Sequence, residues 1–159
     1  MFRSMPSAGR VTNSGAKLPL ATVWTRLHAW LYRRTGGRFL PRWFGGPVMV
    51  LETVGRKSGR PRATPLIYLR DGDDLVVVAA NAGSHRTPAW WLNLKAAGSG
   101  DVVMGRRRWR VQPRLADSRE RERLWPQLVE VYPPNEDYIG FTGRQLPVVI
   151  LEPARVASD

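Results

Sequence analysis

The run Thr53-Val-Gly-Arg-Lys-Ser-Gly-Arg-Pro-Arg-Ala-Thr-Pro-Leu66 gathers Arg56, Lys57, Arg60 and Arg62 with Ser58, Thr64, Gly55 and Gly59, and no acid interrupts it. Guanidinium forks, hydroxyls and backbone N–H groups together can hold one phosphate or carboxylate. Glycine lets the backbone turn at positive φ and approach such a ligand closely. The spacing is neither the GxxxxGK[ST] of a P-loop nor the GxGxxG of a dinucleotide-binding fold. Taken alone, these residues also admit a solvated basic turn, or a DNA minor-groove arm built on Gly59-Arg-Pro-Arg62. Such arms lie in tails. This run sits between the apolar segments Val48–Val54 and Pro65–Leu69, which favours a built pocket wall.

A second segment, Val77-Val-Ala-Ala-Asn-Ala-Gly-Ser-His-Arg-Thr-Pro-Ala-Trp-Trp-Leu-Asn-Leu94, complements the first. A strand ends in the small-residue turn Ala80-Asn81-Ala82-Gly83 and leads into a tryptophan-bearing helix. Small residues let a flat ring lie against bare backbone. Trp90 and Asn93, one helical turn apart, share a face from which they can close the pocket beneath.

The elements that must position these residues are mostly short strands. Val48–Val54 and Pro65–Leu69 flank the basic loop, Asp71-Gly72-Asp73 reads as a hairpin turn, and Leu75–Ala80 as an apolar strand. Thr87-Pro88 is predicted to be an N-cap followed by proline at the first helical position, opening a helix through Ala97 that Gly98 ends. Val102–Met104 and Arg108–Leu115 are expected to pair around Gly105. Asp117-Ser118-Arg119-Glu120 resembles a capping box for a helix to about Val131, which Pro126 should kink or restart. Tyr132-Pro133-Pro134 reads as a loop and Leu146–Leu151 as a closing strand. Near the N-terminus, Leu20, Val23, Trp24, Leu27, Trp30 and Leu31 form one apolar stripe on a predicted helix from Pro19 to about Arg34. That stripe suits either core packing or an interfacial helix on an anionic membrane. Antiparallel strands with few, short helices suggest a small barrel in place of a doubly wound sheet.

Length and charge set the bounds. A chain of 159 residues with 43% hydrophobic content and seven tryptophans is one folded domain. Its expected divisions are a flexible basic N-terminus (1–17), a single barrel domain (18–153) and a short tail (154–159). There is no cysteine, and His28 and His85 lie far apart, so neither thiolate chemistry nor a metal site is expected. No segment reads as a signal peptide or a membrane span, and a cytoplasmic location is expected, with peripheral contact at the inner face of the membrane as a possibility. The net charge is +12, of which the acid-free stretch 1–51 supplies +8 through Arg3, Arg10, Lys17, Arg26, Arg33, Arg34, Arg38 and Arg42. Such a bias implies an anionic partner: a polyanionic cofactor, an acidic membrane face or nucleic acid.

Four segments in order carry a resemblance. Gly55-Arg-Lys-Ser-Gly59 with Arg62 and Pro65-Leu66, then Pro88-Ala-Trp-Trp-Leu-Asn-Leu94, then Trp125-Pro-Gln-Leu128 leading to Tyr132-Pro133, and last Leu146-Pro-Val-Val-Ile-Leu-Glu-Pro153 are similar to the deazaflavin-dependent nitroreductase and quinone reductase family. That family uses 8-hydroxy-5-deazaflavin, coenzyme F420. The resemblance covers roughly residues 20–153 and implies a mainly β (α+β) split β-barrel of antiparallel strands, FMN-binding-like, with an N-terminal amphipathic helix and short flanking helices. It implies that Arg56, Lys57, Ser58, Gly59 and Arg62 hold the cofactor's phosphate and acidic tail, and that Thr64 and Pro65 line the path to the ring. Ala80 and Asn81 would present backbone to the deazaflavin, supported by Trp90 and Asn93. Tyr132 and Tyr138 would orient or protonate a quinone-like or nitroaromatic acceptor, in a pocket shared with Asn135. The family's nitroimidazole-reducing member carries Ser-Lys where this chain has Ala80-Asn81, and a third tyrosine where it has Asn135. FMN, FAD or haem in the same barrel rank behind F420. So does a non-catalytic module binding nucleic acid through Arg56–Arg62 and Arg106–Arg110 with Trp109.

Overall fold

Leu75-Val-Val-Val78 and Val148-Val-Ile-Leu151 are apolar at successive positions where a one-sided strand would alternate, the pattern of strands covered on both faces. The computed structural model describes residues 42–43 and 46–154. The helix predicted from Pro19 to about Arg34 and the predicted basic segment 1–17 lie outside the described residues. Eight strands form one sheet: β1 (Arg42–Trp43), β2 (Gly46–Val54), β3 (Pro61–Ile67), β4 (Leu69–Asp71), β5 (Asp74–Val78), β6 (Gly100–Met104), β7 (Arg107–Leu115) and β8 (Val148–Pro153). The order is β1-β2-β6-β7-β8-β5-β4, with β3 paired to the other side of β2, and every ladder is antiparallel. Among the described residues three α-helices pack around it: α1 (Ala89–Ala97), α2 (Ser118–Val131) and α3 (Pro134–Thr142). The fold is a mainly β split barrel.

The two-sided strands explain where the cores sit. Leu75, Val77, Val149 and Leu151 point inward with Met49, Leu51, Val102 and Val111 and close on Trp90, Trp91 and Leu94 of α1. Their neighbours Val76, Val148 and Ile150 point outward and meet Leu124 and Leu128 of α2. Burying a side chain of this size stabilises by about 1.5–3 kcal/mol. Together the two layers hold α1 and α2 on opposite faces of the same strands.

Several sequence-derived boundaries shift. The strand expected at Pro65–Leu69 begins at Pro61, inside the basic run, because Pro61–Ile67 pairs residue for residue with Val48–Val54. Helix α1 starts at Ala89, with Pro88 in extended conformation (ψ 139°) as its N-cap, and Thr87 makes no capping bond. Its end is as expected: Gly98 adopts left-handed φ 72° and donates to Leu94 O. Helix α2 runs on through Pro126 without a restart. Helix α3 is an addition to the predicted elements, since Pro134 opens a helix where Tyr132-Pro133-Pro134 reads as a loop. The capping box of α2 forms as expected, with Glu120 N–H donating to Asp117 and Asp117 N–H to Glu120.

That capping box joins an ion network. Arg114 on β7 donates to both Glu120 oxygens at 2.7 and 2.8 Å and to Glu152 on β8 at 2.6 Å. The Arg114 hydrogen bonds, then the Asp117 N–H, hold the Glu120 carboxyl down from its ordinary 4.5 to about 2. The folded state therefore keeps Glu120 ionised where the unfolded chain takes up a proton. Its contribution is complete above about pH 4.5 and is lost as pH falls toward 2. Glu120→Gln should lower the melting temperature near neutral pH, with the gap to the parent narrowing between pH 4.5 and 2 in circular-dichroism melts. Parallel curves across that window would contradict the assignment.

Candidate functional site

The basic run closes as a compact turn. Gly55 N–H donates to Arg60 O at 2.9 Å, and Gly59 N–H donates back to Gly55 O at 2.7 Å. A side chain on Gly55 would meet Ser58 Oγ at 2.6 Å, and Gly59 sits at φ 64°. Gly59 thus avoids the left-handed penalty of other residues, and Gly55 leaves the Ser58 hydroxyl its place in the turn. Arg56, Lys57, Ser58, Gly59 and Arg62 are all exposed, and neither Lys57 nor Arg62 has a carboxylate partner among the described residues. Arg56 is anchored instead. Its backbone N–H and Nη1 donate to Asn93 Oδ1 at 3.1 and 3.2 Å, and Asn93 is 5% exposed on α1. Asn93 reaches the loop, while Trp90, one turn earlier, lines the neighbouring cavity.

That cavity, of about 460 Å³, is within the range of small-molecule sites. One wall is β3 and its exit, Thr64 to Tyr68. A second is Val78 with the turn Ala80–Ala82, and Pro88 and Trp90 adjoin it. The third is the end of α2 (Leu128, Val131) with Tyr132, Asn135 and Tyr138. Of the residues singled out in the sequence, Thr64, Pro65, Ala80, Asn81, Trp90, Tyr132, Asn135 and Tyr138 line it together. Arg56, Lys57, Ser58, Gly59 and Arg62 gather at the loop beyond the start of β3, and Asn93 joins the two sets.

The turn wall has an unusual backbone. Asn81 (φ 51°) and Ala82 (φ 50°) both occupy the left-handed region, followed by Gly83 at φ 76°. Such conformations cost energy in non-glycine residues and persist where the surroundings hold them. Asn81 Nδ2 donates to Arg86 O at 3.0 Å, bridging the turn. Opposite, Asn135 Nδ2 donates to Leu128 O at 3.1 Å and fixes α3 against the end of α2. The Tyr132 and Tyr138 hydroxyls are 3.0 Å apart. Burial, then the hydrogen bond with Tyr138, pushes the Tyr132 phenol well above its ordinary range.

Sequence reasoning missed Tyr68 and Leu128 at the cavity, while Ala82 lines it as part of the small-residue turn. Tyr68 supplies a third phenol beside Tyr132 and Tyr138. The available signal was its place just beyond Pro65-Leu66, since the whole run Thr64 to Tyr68 lines the cavity. Among the described residues no group of three or more His, Cys, Asp or Glu could hold a metal ion, and no helix is long and apolar enough to cross a membrane.

An antiparallel split barrel with an apolar cavity beside an uncompensated basic loop is the frame of a protein that binds a flat, anionic small molecule. The sequence profile of the F420H(2)-dependent quinone reductase family matches residues 24–153. The chain is 38% identical over 131 residues to an F420H(2)-dependent quinone reductase of Mycobacterium tuberculosis, covering 79% of this chain and 87% of the relative. A solved structure of an F420-H2 dependent reductase is 34% identical with a TM-score of 0.61, covering 67% of this chain and 94% of that one. A further solved structure, of a domain-swapped dimer, is 30% identical with a TM-score of 0.62, covering 85% of this chain and 100% of that one. The chain belongs to the F420H(2)-dependent quinone reductase family, and is an oxidoreductase with coenzyme F420 as its cofactor.

The fit of turn and α3 makes a direct prediction. A Cβ on Gly83 would lie 3.0 Å from Tyr138 Cδ1, whereas one on Gly72 (φ 63°) would meet nothing within 4 Å. Gly72→Ala should cost only the left-handed backbone penalty, about 1–2 kcal/mol. Gly83→Ala should cost measurably more in urea denaturation because the Tyr138 ring must also move. Equal costs would mean that the turn and α3 are not in firm contact.

Proposed function

We propose that F420H2 lies along β3, its deazaflavin ring in the cavity and its anionic tail at the 55–62 loop, and that a quinone is reduced beside Tyr132 and Tyr138. The observation that carries this reading is the two-part character of one strand. Arg62 stands near the loop end of β3, opposite Thr53, while Thr64 to Ile67 on the same strand line the cavity. At about 3.3 Å per residue, charge and cavity are a few ångströms apart. Arg56, Lys57, Ser58, Gly59 and Arg62 hold phosphate and glutamyl carboxylates, and Thr64 and Pro65 line the path between tail and ring. The Ala80–Asn81 backbone lies against the ring, with Trp90 beneath and Asn93 steadying Arg56.

When bound, F420H2 supplies a hydride from carbon 5 of its ring. The protein's part is to orient both partners and to serve the acceptor oxygen on which negative charge develops. Tyr138 O–H donates to that oxygen and Tyr132 O–H donates to Tyr138, so quinone plus hydride and one proton gives quinol. The high Tyr132 pKa keeps that donor protonated. Nitro oxygens are acceptors of the same kind, so a nitroaromatic can use the same donors. Peripheral contact with an anionic membrane through the stripe of 18–34 belongs to this reading, and rests on sequence alone. An apolar cavity lined by small residues and phenols does not favour the nucleic-acid alternative.

Lys57→Ala combined with Arg62→Ala should weaken F420 binding in a fluorescence titration. Each lost charge-assisted contact is worth about 1.5–3 kcal/mol. The loss should grow with the number of glutamates on the tail. Unchanged affinity would place the tail elsewhere.

A further inference from the structure

The turn that carries the proposed ring wall packs against the helix that carries Tyr138, and Arg144 spans the two. Arg144 follows Gly143, whose left-handed φ of 59° ends α3. Its Nη2 donates to Ser84 O at 3.2 Å and, more weakly, to Arg86 O at 3.4 Å. The Arg86 carbonyl is the one that Asn81 Nδ2 also holds. On the helix side, Thr142 Oγ1 donates to Tyr138 O at 2.9 Å and sits 3.4 Å from the Arg144 N–H. A continuous path of hydrogen bonds thus runs from the Tyr138 backbone through Thr142 and Arg144 to the carbonyls that close the left-handed turn.

We propose that Arg144 is a positioning residue that sets the gap between the Asn81–Gly83 turn and α3, and so the distance between deazaflavin ring and acceptor. This rests on the functional reading above. Two features mark Arg144 as held for a reason other than charge pairing. No carboxylate lies within ion-pair distance of it among the described residues, and its Nε is buried without a partner. A guanidinium kept with an unpaired buried donor signals a constraint imposed by its other contacts. The turn needs such a constraint, since Asn81 and Ala82 hold left-handed conformations beside Gly83, against which Tyr138 and Phe141 pack. Both carbonyls are addressed by Nη2 alone, and the planar guanidinium fixes the directions of its N–H bonds, which the freely rotating ammonium of lysine does not.

The test uses Arg144→Lys and Arg144→Ala in the full chain, with menadione as acceptor and 5-deuterated F420H2 for the isotope effect. A donor–acceptor gap about 1 Å off lowers hydride transfer by about 100-fold. Arg144→Ala should therefore reduce kcat by about 10- to 100-fold, with the F420 Kd and menadione KM within about threefold of the parent and the isotope effect undiminished. Arg144→Lys should fall between the two and decides the matter alone if the alanine variant does not fold. Arg123→Ala, which breaks the exposed bridge to Asp71 outside the cavity lining, is the control for general loosening. A kcat loss no larger than in that control, or one matched by loss of F420 affinity or carried by KM alone, overturns the role. If the parent binds no F420 or leaves menadione unreduced, the functional reading fails and takes this inference with it. If the parent does both and Arg144→Lys behaves identically, only the positioning role is lost.

Discussion

A buried amide oxygen holds the two halves of this site in register. Asn93 Oδ1 accepts two hydrogen bonds from Arg56, one from its backbone and one from its guanidinium. A buried acceptor left alone would carry its full desolvation cost, and a charged donor makes the bond worth about 1.5–3 kcal/mol. Asn93 lies on α1, which is packed through Trp91 and Leu94 into the barrel and presents Trp90 to the cavity. The basic loop is therefore fixed to the same rigid helix that shapes the ring site. Strand β3 makes the second link, running from charged residues to cavity wall within seven positions.

Electrostatics elsewhere in the barrel leave that loop uncompensated. Asp71 takes Arg123, Asp101 takes Arg108 and Arg110, and Glu120 and Glu152 take Arg114. These carboxylates lie along the sheet and α2, and among the described residues none is within ion-pair distance of Lys57 or Arg62. An excess of cations focused at one loop attracts a polyanion over the distance of a screening length, about 8–10 Å in physiological salt. The surface pairs themselves add little stability, so their main consequence is where they leave positive charge free.

The barrel was legible because its strands are bounded by strong local punctuation. Asp71-Gly72-Asp73 and Gly105 turn as expected, and the Asp117 capping box starts α2 at the predicted residue. The continuous apolar runs in β5 and β8 signalled burial on both faces. Helix α3 escaped notice because Pro133 and Pro134 together read as a loop and its apolar residues make no clean stripe. Its start was nevertheless written in Pro134 at the first helical position, Glu136 and Asp137 in the first turn, and Gly143 at the end. The Arg56–Asn93 anchor and the Tyr132–Tyr138 pair depend on tertiary packing, and no spacing rule brings residues 37 positions apart together. Arg144 was invisible for the same reason: its partners are backbone carbonyls some 60 residues earlier.

The central claim is that the loop and the cavity are one continuous site for a ring with an anionic tail. The most direct measurement compares the affinity of the protein for F420 with that for the deazaflavin chromophore lacking phosphate and glutamates, at low and high salt. The account predicts that F420 binds more tightly by at least about tenfold, the equivalent of one charge-assisted contact. It also predicts that this advantage shrinks as salt rises, while the tail-less chromophore is nearly insensitive. Equal affinities for the two, unchanged by salt, would contradict it.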